Sequence, residues 1–249
     1  MRSRDLFPFC LAKVEEEKKN IFEEGQVLLF DKPQYWTSFD LVNKVRIMIR
    51  STQVIKKIKV GHAGTLDPLA SGLMIICTGK ATKRISEFSN LDKEYIATLR
   101  TGATTPSFDL ETETDREYPT GHITEELVKE KLLTFLGDQK QIPPLHSAKM
   151  ISGKRAYELA RKGIDKKLDP VSVSFREIEL LSFRIPEMKI RIVCSKGTYI
   201  RSFARDLGVA LQSGCYLSEL VRSSIGSFTL AEAFSLEKFD RYLEQLKQN

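Results

Sequence analysis

The stretch Gly61-His62-Ala63-Gly64-Thr65-Leu66-Asp67-Pro68-Leu69-Ala70-Ser71-Gly72 constrains this chain more than any other. Glycine serves where a backbone must take positive φ or pass close to another group. Pro68 biases Asp67 toward an extended conformation and stiffens the loop behind it. Directly after the loop comes an apolar run, 73–77, which reads as a buried strand. The chain must therefore hold a shaped loop in front of a central strand. That loop presents one carboxylate, Asp67, with His62 five residues before it. A plain strand connection is the alternative, and the loop alone does not decide between the two.

Around it the pattern mixes both element types. Residues 27–30 and 95–100 read as strands, and 80–90 as helical. Thr37 or Ser38 can cap a helix carrying Leu41, Val42, Val45 and Ile49 on one face. The polar, acidic stretch 102–120, with Pro106 and Pro119, reads as a long functional loop. Thr124 caps a helix reaching Phe135, with Glu125 and Glu126 at its favourable end, and Pro143-Pro144 stops it. Tyr157 begins another short helix. Alternation in Val171-Ser172-Val173-Ser174-Phe175 and in Ile190-Arg191-Ile192-Val193 predicts an antiparallel pair closed through Pro186. Residues 198–211 then read as a helix, 216–224 as an irregular strand and 235–247 as an amphipathic helix. Strands adjoin strands as often as helices, which predicts an α+β fold on a mixed sheet.

The net charge of +6 permits a nucleic-acid partner, and its placement says more. Residues 149–167 carry seven basic side chains, among them Lys149, Lys154, Arg155, Arg161 and Lys162, against Glu158 and Asp165. That clustering is an electrostatic footprint for phosphates, or else a solvated helix face. Cys10, Cys77, Cys194 and Cys215 show no C-x-x-C spacing, so a metal site is not expected and a reducing cytoplasm fits best. The apolar start 6–12 is short, contains Pro8 and leads into Glu15-Glu16-Glu17, unlike a secretory signal. No stretch approaches transmembrane length.

Five motifs, in order, resemble those of the TruB family of tRNA pseudouridine synthases. They are Leu29-Phe30-Asp31-Lys32-Pro33 with Thr37-Ser38, the Gly61–Gly72 loop, and Lys93-Glu94-Tyr95. Ser195-Lys196-Gly197-Thr198-Tyr199-Ile200-Arg201 and Leu217-Ser218-Glu219-Leu220 with Arg222 complete the set. The resemblance implies a large mixed, mostly antiparallel sheet flanked by helices, with the active cleft across its middle. It divides the chain into an N-terminal extension, 1–24, expected to be flexible, and a catalytic domain, 25–234. Within that domain an RNA-gripping insertion is expected at about 120–168, and a C-terminal helix, 235–249, follows. The small C-terminal RNA-binding domain common in the family is expected to be absent, since 21 residues follow Phe228.

The implied reaction converts uridine 55 of the tRNA T-loop to pseudouridine, without metal, cofactor or membrane, in a protein expected to be monomeric. Asp67 then supplies a nucleophilic or electrostatic carboxylate, and Arg201 pairs with it. A carboxylate beside a guanidinium stays ionised at neutral pH, and arginine binds it bidentately. Tyr95 matches the tyrosine that stacks on the target base, Tyr199 a second ring and Leu220 a backbone contact to uracil. His62 matches the histidine that fills space vacated in the RNA loop, while Lys32 is expected at the substrate site as support for the tyrosine motif. A non-catalytic RNA-binding or tRNA-folding protein is the rival reading.

Tyr35 stands where the family commonly has glycine, and Ser147-Ala148 matches its Ser-Ala segment only loosely. Other signatures fail. Six residues separate Gly72 from Gly79 where a P-loop needs four, and Ala81 replaces its Ser or Thr. The acids Asp109, Glu111, Glu113 and Asp115 hold no histidine among them and read as a solvated loop rather than a nuclease centre.

Overall fold

A computed structural model describes residues 20–53, 56–145, 150–151, 154–155 and 168–248. Its body is a nine-stranded sheet. The principal strands are β1 (Val27–Lys32), β3 (Ser71–Thr78), β4 (Lys93–Thr101), β7 (Gly137–Gln141), β10 (Val171–Arg184), β11 (Glu187–Cys194) and β12 (Cys215–Ile225). They lie in the order β1-β3-β12-β4-β11-β10-β7, with β2 (Val60–His62) beside β3 and β13 (Phe228–Thr229) beside β12. Every pairing is antiparallel except β3 with β12, where Val221 faces Ser71 and Arg222 faces Gly72. The sheet is mixed and mostly antiparallel, as expected. Two two-stranded pieces complete the strand count, β5 (Ala103–Thr104) with β6 (Arg116–Glu117) and β8 (Met150–Ile151) with β9 (Lys154–Arg155).

The apolar run in β3 is continuous because both faces of that strand are covered. Met74 and Ile76 face the main core, while Leu73, Ile75 and Cys77 join a smaller cluster with Ala81, Phe88 and Ile225. Over the main core lies helix α2 (Ser38–Gln53), which buries Leu41, Val42, Val45 and Ile49 as its spacing predicts. Thr37 supplies its reciprocal cap. Its hydroxyl accepts from the Asp40 amide at 3.1 Å, and its own amide donates to the Asp40 carboxylate at 2.8 Å. Helix α3 (Ile85–Ser89) continues a 3-10 turn over Gly79–Arg84. Helix α4 (Glu125–Leu133) starts at Thr124, whose hydroxyl accepts from the Leu127 amide. Helix α5 (Ile200–Ala210) and the terminal helix α6 (Leu236–Gln248) close the same layer. No helix among the described residues is long and apolar enough to cross a membrane.

The expected boundaries need two corrections. Residues 21–24, assigned to a flexible extension, form the short helix α1 (Ile21–Glu24) with Phe22 fully buried against Phe239 of α6. The Phe239 ring also meets Phe30 at 4.9 Å and Phe234 at 5.6 Å. Truncating so enclosed a ring removes packing on several sides at once. Phe239→Ala should therefore lower unfolding free energy by about 3–5 kcal/mol, read from urea denaturation. The insertion is the second correction. Residues 124–141 belong to the main body, because α4 buries Val128 and Leu132 in the core and β7 pairs with β10. Of the basic segment, Lys154 and Arg155 lie in β9, and Lys149, Arg161 and Lys162 fall outside the described residues. The short helix expected from Tyr157 also falls outside them.

Candidate active site

The Gly61–Gly72 loop is fastened from several directions. Ala63 donates its amide to the Ile75 carbonyl at 2.9 Å, continuing the ladder of β2 on β3. Ser38, at the start of α2, clasps Leu66 twice: its hydroxyl donates to the Leu66 carbonyl at 2.9 Å and accepts from the Leu66 amide at 2.8 Å. Arg222 is 1% exposed, and its guanidinium donates to the carbonyls of Leu73 (2.7 Å), Thr65 (3.3 Å) and Gly64 (3.2 Å). It can do so because β12 runs parallel to β3 at Gly72. That glycine has φ +106°, and a Cβ there would stand 2.5 Å from the Arg222 carbonyl oxygen. These ties hold the loop from several sides and set the direction in which Asp67 leaves it.

Asp67 projects into a cleft of about 380 Å³ whose walls include Lys93, Tyr95, Tyr199, Arg201, Leu220 and Arg222. Its carboxylate is 42% exposed and accepts from Arg201 Nη2 at 2.9 Å. Arg201 itself is 5% exposed. It sits in the first turn of α5, where the helix dipole disfavours a cation. Two acids offset that penalty: Asp67 on one side, and Asp109, with Oδ2 3.5 Å from Arg201 Nε, on the other. Asp109 is only 5% exposed. Thr105 and Ser107 hydroxyls hold its carbonyl, and the Glu111 amide donates to its carboxylate. The guanidinium is thus held from behind by Asp109 and faces Asp67 on its other side.

Tyr95 sits on the buried face of β4, and burial pushes its phenol pKa up. Tyr199 caps α5. Its backbone is gripped at both ends by Gln141 of β7, which accepts from the Tyr199 amide at 2.8 Å and donates to its carbonyl at 3.1 Å. Lys93 lines the same cleft; its ammonium donates to the carbonyls of Ser89 and Leu91, and burial pulls its pKa down to about 8. A carboxylate, a buried cation that orients it, and two rings around a space for a planar base make a site suited to nucleophilic or electrostatic catalysis on a nucleotide. Among the described residues no group of His, Cys, Asp and Glu is arranged to hold a metal.

Comparison with known proteins converges on one family. Residues 52–200 match the description TruB family pseudouridylate synthase (N terminal domain). A tRNA pseudouridine synthase B of Phocaeicola vulgatus is 60% identical over 224 residues, spanning 90% of this chain and 95% of its own length. The chain belongs to the TruB family. A tRNA pseudouridine synthase B of Flavobacterium johnsoniae is 49% identical over 222 residues, 89% of this chain and 97% of its own. Among solved structures, a chain in the crystal structure of a Cbf5-Nop10-Gar1 complex superposes with a TM-score of 0.68 at 27% identity. That match covers 91% of this chain and 56% of the other.

Set against the TruB motifs, the structure brings Asp67, Tyr95, Tyr199, Leu220 and Arg201 to one cleft and leaves two expected residues outside it. Lys32 is fully buried. Its ammonium donates to the carbonyls of Pro33 (2.9 Å), Trp36 (2.7 Å) and Pro68 (3.5 Å), and burial lowers its pKa to about 8. It meets no open space, so it is no substrate ligand, and it supports the aspartate loop rather than the tyrosine. His62 ends β2 beside the loop and does not line the Asp67 cleft; burial lowers its pKa, favouring a neutral ring.

Asp109 is the functional residue that reading the TruB motifs passes over. It was grouped with a solvated acidic run, but only Asp109 of those four acids is buried. Removing its charge takes one of the two carboxylates from beside Arg201. Asp109→Asn should lower kcat by roughly tenfold to a hundredfold with little change in RNA affinity, measured by single-turnover and filter-binding assays.

Proposed function

We propose that this TruB-family chain isomerises uridine 55 in the T-loop of tRNA to pseudouridine, with Asp67 as nucleophile on a flipped-out nucleotide. The observation that carries the reading is the half-exposed Asp67 carboxylate held at 2.9 Å by the buried Arg201, across a cleft walled by Tyr95 and Tyr199. The high identity to proteins named tRNA pseudouridine synthase B supports the substrate class.

The chemistry breaks the bond from ribose C1′ to uracil N1, turns the base and forms a C1′–C5 bond; C5 loses its proton and the freed N1 takes one up. Atoms and charge then balance within one nucleotide, so the isomerisation consumes nothing. Asp67 forms a transient bond to the nucleotide while Arg201 keeps the carboxylate ionised and aimed. Tyr95 enters as a neutral phenol, because burial raises its pKa, and its ring stacks on the loose uracil. Such a stack contributes about 1–3 kcal/mol, comparable with the few kcal/mol needed to extrude a nucleotide. Tyr199 supplies a second ring to the same cleft and the Leu220 backbone addresses the edge of the base. His62, neutral at the loop's start, fills the gap left in the RNA stack.

The decisive experiment incubates purified protein with unmodified tRNA and maps pseudouridine along it. New pseudouridine at position 55, and none in a tRNA with cytidine there, is the expected result. No new pseudouridine in the T-loop sinks the proposal. The basic segment 149–167 is assigned to phosphate contacts on the same RNA. Replacing Lys154, Arg155, Arg161 and Lys162 with alanine should weaken tRNA binding and flatten its dependence on salt by about one log–log slope unit per lost phosphate contact. An unchanged slope in the folded variant would move those contacts to another face.

A further inference from the structure

We propose that Tyr35 and Phe39 form a second stacking site, outside the Asp67 cleft, for an unpaired nucleobase of the RNA substrate. This rests on the RNA-isomerase reading above. Tyr35 is 74% exposed and has φ +69°, a backbone region that any residue bearing a Cβ disfavours. The family commonly places glycine there, which would adopt that conformation without strain. The ring cannot owe its place to packing, since most of it faces solvent. Phe39, four residues on in the first turn of α2, is 66% exposed. Single exposed aromatics need no explanation. Two within five residues, one of them on a strained backbone, do.

Their position supplies the occupant. The Tyr35 amide donates to the Pro68 carbonyl at 2.7 Å, so the tyrosine is fastened to the residue that follows Asp67. The buried Lys32 ammonium fixes the same turn through the carbonyls of Pro33 and Trp36. Along α2, at about 100° per residue, Arg46 and Arg50 each fall within about 20° of Phe39. Arg46 donates to the Val60 carbonyl at 3.3 Å, which lays this aromatic and basic stripe beside β2 and its terminal His62. Asp40, the one acid of α2, is turned back onto Thr37. The stripe starts at the turn bonded to Pro68, passes β2, the strand that leads into the catalytic loop, and carries positive charge suited to RNA. Flipping one nucleotide deprives its neighbours of their stack, and exposed rings accept any base face without regard to sequence.

The test compares Tyr35→Gly/Phe39→Ala with Tyr35→Phe and wild type on a T-arm stem-loop. Glycine keeps the positive φ, so the loop beneath stays in place. The double variant should raise KM and Kd roughly tenfold, with kcat at saturating RNA within about twofold of wild type. Tyr35→Phe should behave as wild type, and the salt slope should not move, because no phosphate contact is lost. 2-Aminopurine placed in turn at each unpaired loop position should be quenched by wild type at one position whose emission the double variant restores. Unchanged KM and Kd, with wild type turning over normally, would overturn the site and leave the isomerase reading intact. A fall in kcat alone, or a flattened salt slope, would also overturn it.

Discussion

Asp67→Asn should eliminate pseudouridine formation, by about a thousandfold or more, while tRNA affinity and unfolding free energy stay close to wild type. The amide preserves the shape of the side chain and removes the charge and nucleophilicity that the reaction needs. Binding should survive because Asp67 is one small group in a cleft whose walls are aromatic and basic. The fold should survive because Arg201 keeps its second carboxylate, Asp109, and a bond to the Ser107 carbonyl. Release of tritium from C5-labelled uridine in tRNA measures turnover, and a gel-shift titration measures affinity. Near-normal tritium release from the variant would remove Asp67 from the chemistry.

Arg222→Met should produce the opposite profile, with stability and turnover lost together. Three carbonyls in the catalytic loop and β3 receive donors from this one guanidinium. Leaving a buried acceptor unmet costs about 1–3 kcal/mol, so the variant should lose about 3 kcal/mol or more of unfolding free energy. In the fraction that stays folded the Gly64–Thr65 segment is no longer anchored. Displacing Asp67 by even an ångström should reduce kcat roughly a hundredfold. Arg222→Lys cannot span the three carbonyls and should rescue little. Urea denaturation with tritium release on the same preparation separates Arg222, which positions the loop, from Asp67, which reacts. A variant as stable as wild type would show that the loop holds itself.

The strands and helices that bury a regular face were legible in the sequence, and the motifs named five residues that line one cleft: Asp67, Tyr95, Tyr199, Arg201 and Leu220. What escaped reading was structure specified by partners rather than by pattern. Strand β7 reads Gly-Asp-Gln-Lys-Gln and has no apolar alternation, because it lies at the edge of the sheet and is held to β10 by the backbone ladder and a Lys140–Ser172 side-chain bond rather than by apolar packing. Its one buried side chain, Gln141, is polar because its work is to grip Tyr199. Strand β10 was recognised only over 171–175, since register shifts after Phe175 and after Leu180 break the alternation. Asp109 and Arg222 were visible as residue types, but burial beside a partner more than ninety residues away leaves no local trace. Lys32 failed in the other direction. A lysine beside a catalytic motif suggests a ligand, and only the three carbonyls around it show otherwise.

The ties on the catalytic loop also set when in the life of the chain this site can exist. Ser38 reaches the loop from 28 residues upstream, and Arg222 from about 150 residues downstream. The parallel contact at Gly72 belongs to the same strand as Arg222, so neither can form until that strand has been synthesised and docked. Closing so long a span is slow compared with local helix formation, and a nascent chain meets its N-terminal residues first. Every earlier intermediate therefore carries Asp67 on a loop that lacks its Arg222 anchor. A growing or truncated chain can hold β1 to β4 and still be inert toward RNA. Chemical competence arrives as one late event, in the same step that completes the sheet.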